Sequence, residues 1–492
     1  MKKIAILLLA QLFIYGVSGQ TKIQLSLKKA IELANDSSIA AFRAQNLFLA
    51  SFWDYKNYEA SSKPTLSLNT SPFSYDRSIT KQFNAVDSSY SYYQQHNLSS
   101  AMGLILNQNI ALTGGSISVN SSLNRLQNFG SQPFTQFSSS PVWIALSQPL
   151  FAYNSFKWEK KIAPLKYEKA KKELISSYEN NAYTVVGYFF NLAMAEQNFK
   201  LAQTNLANAD TLYAIGNKRY TISTITRMDL LNLKLELLNC KDQLTIAGNS
   251  LTRAQSLLLS FLSMDKDTPL ELILPEEVPD LTVEVFKAIE LAKANNPTVL
   301  GFQQEELESN SNVESIKKKN QPEVSLNASY GLSRTSDKLP EVYKGLSRQE
   351  YINLNLSIPL MDWGLRKGRL NLALKEREAK MASLKQDKID FEEEIGTQVA
   401  TFNVQNHLVL SARETSNVAN EAYEISKIKF KIGNMDINDM IAQLNRKDSA
   451  LRNYISTLQG YWSSFYAVRR ITLFDFETNQ SLSVDFEQKL GL

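Results

Sequence analysis

Hydrophobic and polar positions alternate with period two in several short runs of the chain. Val324, Leu326, Ala328 and Tyr330 alternate with Glu323, Ser325, Asn327 and Ser329, and Ile352, Leu354, Leu356 and Ile358 alternate with Asn353, Asn355 and Ser357. Period two with one apolar face predicts half-buried strands. The polar partners are mostly Asn and Ser, not Lys and Glu. A water-filled barrel interior suits that face and lipid suits the other; taken alone, the pattern equally fits a soluble sandwich with one wet face. In the N-terminal half, strand signals begin at Leu66 and Leu68 and continue through Met102, Leu104 and Leu106. They turn at Thr113-Gly114-Gly115, leave through Ile117 and Val119, and end with Val142, Ile144 and Leu146.

Elsewhere the period lengthens to about 3.5. Residues about 24–62 read as helix, stopping at Lys63-Pro64 because the residue before proline disfavours the α region. The run from about 152 to 213 is broken only by Pro164. At 1.5 Å per residue it predicts roughly 90 Å of helix, several times the ordinary length. Within it Ala182, Val185, Phe189, Leu192 and Phe199 are spaced by threes and fours, and Ile395, Val399, Phe402 and Val409 are their counterparts. After a turn, Leu230, Leu233, Leu237, Cys240, Leu244, Ala247, Leu251, Ala254, Leu258 and Phe261 keep the same stepping, as do Leu451, Tyr454, Leu458, Tyr461, Phe465 and Val468. These are coiled-coil seams that face partner helices. Cys240 lies on one, which predicts small core packing and not redox chemistry.

The pattern occurs twice. Lys29–Ala34 recurs as Lys287–Ala292, and the segment from Lys63 to Ser71 recurs from Gln321 to Ser329, both at an offset of 258. Further on the offset is 210: Ser147-Gln148-Pro149-Leu150 matches Ser357-Ile358-Pro359-Leu360. A period this long indicates a duplicated unit, not a solenoid. The difference places an insertion between Ser71 and Ser147, read as an additional hairpin. The expected plan is a signal peptide at 1–19, a first repeat at 20–263, a linker at 264–281, a second repeat at 282–473 and a tail at 474–492. The polar stretches at about 75–98, 127–139 and 334–349 read as loops.

Composition narrows the function classes. The chain has 492 residues and a net charge of +4, which gives no argument for nucleic acid. Two histidines and one cysteine exclude a disulfide framework and speak against a Cys/His metal site. Lys2 and Lys3, the apolar stretch Ile4–Val17, and Val17-Ser18-Gly19 read as an export signal. There is no P-loop, dinucleotide fingerprint, G-x-S-x-G or H-E-x-x-H. We therefore expect no enzyme and no cofactor.

The remaining candidates lie at the turn between each pair of long helices. One reads from Lys218 to Leu230 and contains Asp229; the other runs from Lys429 to Met440 and contains Asp436 and Asp439. An aspartate near a helix N-terminus is favourable for the helix by itself. In order along the chain, Lys287–Ala292 with Asn295-Asn296-Pro297, the junction Pro359-Leu360-Met361-Asp362-Trp363-Gly364, and Phe430 to Asp439 resemble the motifs of TolC-like outer-membrane efflux proteins. The first copy of the junction, Pro149 to Asn154, lacks the glycine. The resemblance implies an α+β membrane protein with two structural repeats per chain. It further implies a trimeric β-barrel continued by a long α-helical coiled-coil barrel, and four strands per chain, 12 in the trimer; a hairpin in the wall would make six and 18. As function it implies a passive exit duct in the outer membrane. Its partners would be outer-membrane lipid, a periplasmic adaptor (membrane fusion) protein and an inner-membrane pump of RND or ABC type. Asp439 matches the first position of an acidic ring at the periplasmic gate. The second position is Ala442 here, leaving Asp436 as a substitute. A type I protein secretion channel and a non-channel periplasmic coiled-coil protein are the alternatives.

Overall fold

The computed structural model describes residues 23–84, 88–130, 133–266, 268–275, 278–432, 434–435 and 437–482. The expected signal peptide and residues 483–492 of the expected tail lie outside them. The first repeat runs β1 (Ile23–Ser26), α1 (Leu27–Ser37), α2 (Ile39–Ser61), β2 (Thr65–Asn84), β3 (Ser89–Ile110), β4 (Gly115–Asn128), β5 (Phe134–Pro149), α3 (Ser155–Thr221) and α4 (Arg227–Phe261). After β6 (Leu270–Ile273) the second runs α5 (Val285–Asn295), α6 (Pro297–Lys319), β7 (Glu323–Ser336), a 3-10 turn (Leu339–Tyr343), β8 (Ser347–Ser357), α7 (Leu365–Lys431) and α8 (Ile437–Thr472). The strands β9 (Phe474–Asp475) and β10 (Gln480–Ser481) close the described chain. No described helix is long and apolar enough to cross a membrane.

The duplication reaches the element ends. α1 and α5 have 11 residues each, α2 and α6 have 23, and α3 and α7 have 67, or roughly 100 Å. The single helix expected over 24–62 is two helices. Ser38 breaks it: its side chain accepts from the Ala41 N–H at 3.0 Å and caps α2. Asn296 is its counterpart, accepting from the Thr298 N–H at 2.8 Å ahead of Pro297 at the first helical position.

The chain divides into two compact units. One holds the chain up to Leu49, Lys169–Val299 and Lys388–Leu492; the other holds Ala50–Glu168 and Leu300–Asp387. The first is helical. Ala30, Ala34, Ala288 and Ala292 are fully buried, the small faces by which α1 and α5 dock. Phe189, Phe190, Leu258, Ile395, Phe402, Leu458 and Tyr461 fill its core. The expected seams are therefore packed within one chain. Cys240 is buried with Ala209 and Leu237, and burial pushes its thiol up, in keeping with a packing role.

The second unit carries one antiparallel sheet in the order β2-β3-β4-β5-β7-β8. Of the two counts left open by the sequence, four strands and six, the sheet has six: the inserted hairpin is part of it. The structure corrects the loop expected at 75–98. β2 and β3 stay paired from Thr65↔Asn107 to Asn84↔Ser89, through polar but strand-compatible residues. The connection expected at 127–139 contracts to the residues between Asn128 and Phe134.

One buried ion cluster ties the repeats together inside the helical unit. Arg469 donates to both carboxylate oxygens of Glu179, at 3.0 and 3.1 Å, and to Asp475 at 2.7 Å. Burial raises the Glu179 carboxyl, with Arg469 opposing, and pushes the neighbouring Tyr466 hydroxyl up to about 12. Removing the shared cation leaves two buried carboxylates. Arg469→Ala is expected to lower stability by about 3–5 kcal/mol. Lys375→Ala, which removes the exposed pair with Glu378, is expected to cost less than about 1 kcal/mol. Denaturant unfolding of the detergent-solubilised protein checks the contrast; equal effects would refute it.

Candidate functional site

Two surfaces stand out: the faces of the sheet and the tips of the helical hairpins. The register sorts the sheet residues into two unlike faces. On one, Leu66 pairs with Leu106, Leu106 with Val119, Val119 with Ile144 and Ile144 with Tyr330. The next row runs Ile117, Leu146, Ala328 and Ile352. On the other face Asn107, Ser118, Ala145, Ser329 and Tyr351 form one row, and Asn109, Ser116, Ser147, Asn327 and Asn353 form another. The Ser147 hydroxyl donates to the Asn327 side-chain oxygen at 3.0 Å.

The aliphatic face is bare within the chain: Leu66 is 69% exposed, Leu354 63% and Ile352 78%. A water-facing monomer rarely leaves so broad an apolar area open. The run from Val324 to Leu332 on β7 is long enough, at about 9 residues, for a tilted strand to cross the hydrocarbon core of a bilayer. β2 and β8 each end the sheet with one unpaired edge.

The two tips are built alike. Thr224 N–H donates to the Arg219 carbonyl at 2.9 Å, and Asn434 N–H donates to the Lys429 carbonyl at 2.9 Å, the same bond 210 residues on. It closes the end of each long helix in the Schellman manner. Ser223 takes a left-handed φ of 58° there, and Gly433 holds the equivalent position in the second repeat, outside the described residues.

Of the expected site residues, Asp229 is engaged locally. Its carboxylate accepts from the Thr226 N–H at 2.9 Å and the Thr226 hydroxyl at 2.7 Å, while the Asp229 N–H donates to the Thr226 oxygen at 3.2 Å. This is a capping box. The Thr226 bonds hold its carboxyl below the usual aspartate range. Asp439 lies in the first turn of α8 and is exposed. Asp436 lies outside the described residues; in the repeat register it is the counterpart of Thr226, the helix-capping position. Periodicity did not single out a cavity of about 440 Å³ near the tip, lined by Thr211, Leu212 and Ile215 of α3, Tyr423 of α7, and Met440 and Leu444 of α8. Leu212, Ile215, Met440 and Leu444, apolar positions outside the residues assigned to the seams, were its trace in the sequence.

The model of the outer membrane efflux protein family matches residues 110–262 and 288–472, more than half of the chain and both repeats. The chain belongs to that family. Its fold is that of solved channels at low sequence identity. The CmeC outer membrane channel of Campylobacter jejuni superposes with a TM-score of 0.64 at 16% identity, covering 94% of this chain and 88% of that one. A membrane protein of Pseudomonas aeruginosa gives 0.62 at 14% identity, covering 93% and 92%. The open-state MtrE outer membrane channel of Neisseria gonorrhoeae gives 0.56 at 15%, covering 93% and 89%. No curated protein sequence matches the chain.

The capping box generates a test. Thr226→Ala should destabilise the first turn of α4 by about 1 kcal/mol. Because the folded Asp229 pKa is depressed, its contribution is present above the unfolded pKa and is lost as pH falls through the folded value. Once the intrinsic exchange rates are divided out, the protection of the amides around Leu230 should therefore fall in acid, and Asp229→Asn should flatten that fall in hydrogen-exchange mass spectrometry.

Proposed function

We propose that the chain is the outer-membrane exit duct of a tripartite efflux system. It would conduct substrates passively from an inner-membrane pump of RND or ABC type, through a periplasmic adaptor, to the exterior. The observation that carries this reading is the six-stranded sheet with one bare aliphatic face, one Asn/Ser face and two open edges. Backbone groups cannot be left unpaired in lipid, so a sheet in a bilayer must close. Three copies bring 18 strands, a number that leaves an aqueous channel. The family membership, and the description of CmeC and MtrE as outer membrane channels, support the same placement.

The helical part supports a homotrimer independently. Outside the satisfied seams, α4 exposes Leu231, Leu235, Leu238 and Ile246, and α7 exposes Val404, Leu408, Val418, Ile425 and Ile428. Their steps of three, four, seven, eight and ten are whole numbers of three- and four-residue spacings, so each set keeps near one side of its helix, as helix-packing faces do. In the proposed tunnel they lie between neighbouring copies. The hairpin tips then point into the periplasm, and Asp439 from three copies forms the acidic constriction, where like charges attract cations.

Crosslinking in native membranes should give trimers; monomers alone would sink the assembly. Labelling of intact cells should reach Ser336→Cys but not Asn434→Cys, and the opposite result would invert the orientation. In planar bilayers Asp439→Ala should reduce cation selectivity and block by trivalent cations more than Asp229→Ala does, because Asp229 is committed to its cap. Unchanged selectivity in Asp436→Ala/Asp439→Ala would remove the gate assignment and leave the duct.

A further inference from the structure

We infer that the far end of the β2–β3 hairpin binds a phosphorylated glycolipid of the surrounding leaflet, a role that rests on the membrane reading above. β3 pairs with β4 only from Asn97 to Ile110, whereas its pairing with β2 continues to Ser89. Beyond Asn97 the hairpin is a two-stranded ribbon that leaves the rest of the sheet behind. Such a ribbon is marginally stable in water without something to pack against.

Its two faces differ sharply. Alternation along β3 is unbroken, so Leu98, His96, Tyr92 and Tyr90 continue the face of Leu106, Leu104 and Met102. Opposite them on β2 stand Tyr75, Arg77, Lys81 and Phe83. The face that is aliphatic lower down thus becomes aromatic and cationic. Lys81 Nζ lies 4.3 Å from the Tyr90 ring centre and 6.0 Å from that of Tyr92, and the Phe83 and Tyr90 rings are 5.1 Å apart. The Tyr75 hydroxyl and His96 Nε2 are 2.8 Å apart. Phe83, Tyr90 and Tyr92 are each more than half exposed. The one carboxylate among these paired residues, Asp76, lies on the opposite face, where the Ser78 hydroxyl donates to it.

Charge and reach identify the ligand. Lys81 beside the rings, with the Asp76 carboxylate turned away, suits an anion, and flat rings suit the faces of sugars. From Asn97 to Ser89 the ribbon extends roughly 26 Å at about 3.3 Å per residue. The headgroup layer of a phospholipid bilayer is only about 5–8 Å deep on each side. A glycerophospholipid headgroup ends well short of Lys81 and Tyr90, whereas a phosphorylated oligosaccharide on a lipid anchor reaches them while its acyl chains meet the aliphatic face below.

The test uses the full-length protein purified in detergent. Binding is measured by native mass spectrometry with a lipopolysaccharide carrying lipid A and phosphorylated core sugars, with the same molecule after phosphatase treatment, and with phosphatidylglycerol. Lys81→Glu and Tyr90→Ala/Tyr92→Ala are each expected to weaken lipopolysaccharide binding at least tenfold, and phosphatase treatment to reproduce the Lys81→Glu loss. Asp76→Asn, on the other face, should leave binding unchanged. Wild-type binding by both ribbon variants, or equal binding of phosphatidylglycerol that is insensitive to them, overturns the inference. Membrane fractionation separates the two levels: wild-type protein missing from the outer membrane refutes the membrane reading, whereas correctly localised protein with variant-insensitive binding refutes only the ribbon's role.

Discussion

The backbone of a sheet has to be paired wherever water is absent, and this chain's sheet is left unfinished at both edges. Six strands with aliphatic side chains on one face and amides and hydroxyls on the other leave two needs unmet within one chain: the aliphatic face lacks a covering layer and the edges lack partners. In the proposed assembly lipid satisfies the face and further copies satisfy the edges, and neither remedy works without the other. A covered face with open edges leaves N–H and C=O groups in hydrocarbon. A closed barrel in water leaves Leu66, Ile352 and Leu354 exposed. The proposed trimer in a membrane meets both demands together.

The helical unit solves a different problem by division of labour. Its seams, from Val185 and Phe189 to Leu458 and Tyr461, are buried within the chain and give each copy a core of its own. The second apolar stripes on α4 and α7 remain open, and they are the natural place for contacts between copies. The Arg469, Glu179 and Asp475 cluster joins a helix of the first repeat to a helix of the second and to the strand β9 that follows it. Such a cluster adds little net stability against a well-packed apolar alternative, but it is costly to break. It therefore fixes how the two repeats meet more than how strongly they hold.

Much of this was readable from residue order, for physical reasons that differ by element. The long helices were plain because a seam from Leu230 to Phe261 repeats often enough to outweigh local propensity. The strands β7 and β8 were plain because their alternation is clean. The break at Ser38 was hidden because serine is tolerated within helices and reveals itself only when its oxygen finds the Ala41 N–H. The ribbon at 75–98 was hidden because its polar and aromatic content resembles a loop. Strand pairing there comes from partners such as Lys81 and Tyr92, which a reading of one strand at a time does not bring together. Membership of the sheet by the inserted hairpin is likewise a fact about neighbours and not about sequence within the insert.

The tips show how a duplicated scaffold can divide two uses of the same residue type. Both tips close with the same carbonyl bond, and both following helices carry aspartate at the same repeat position, Asp229 and Asp439. In the first, threonine at position 226 takes up that aspartate in a capping box, and its carboxylate is committed to local bonds. In the second, the capping position itself is an aspartate, Asp436. An ionised Asp436 side chain has no hydroxyl proton to donate, so it cannot hold Asp439 as Thr226 holds Asp229. The Thr-to-Asp difference between the repeats therefore leaves Asp439 without the threonine that commits Asp229 to its cap, which is why the gate proposed above is placed in the second repeat.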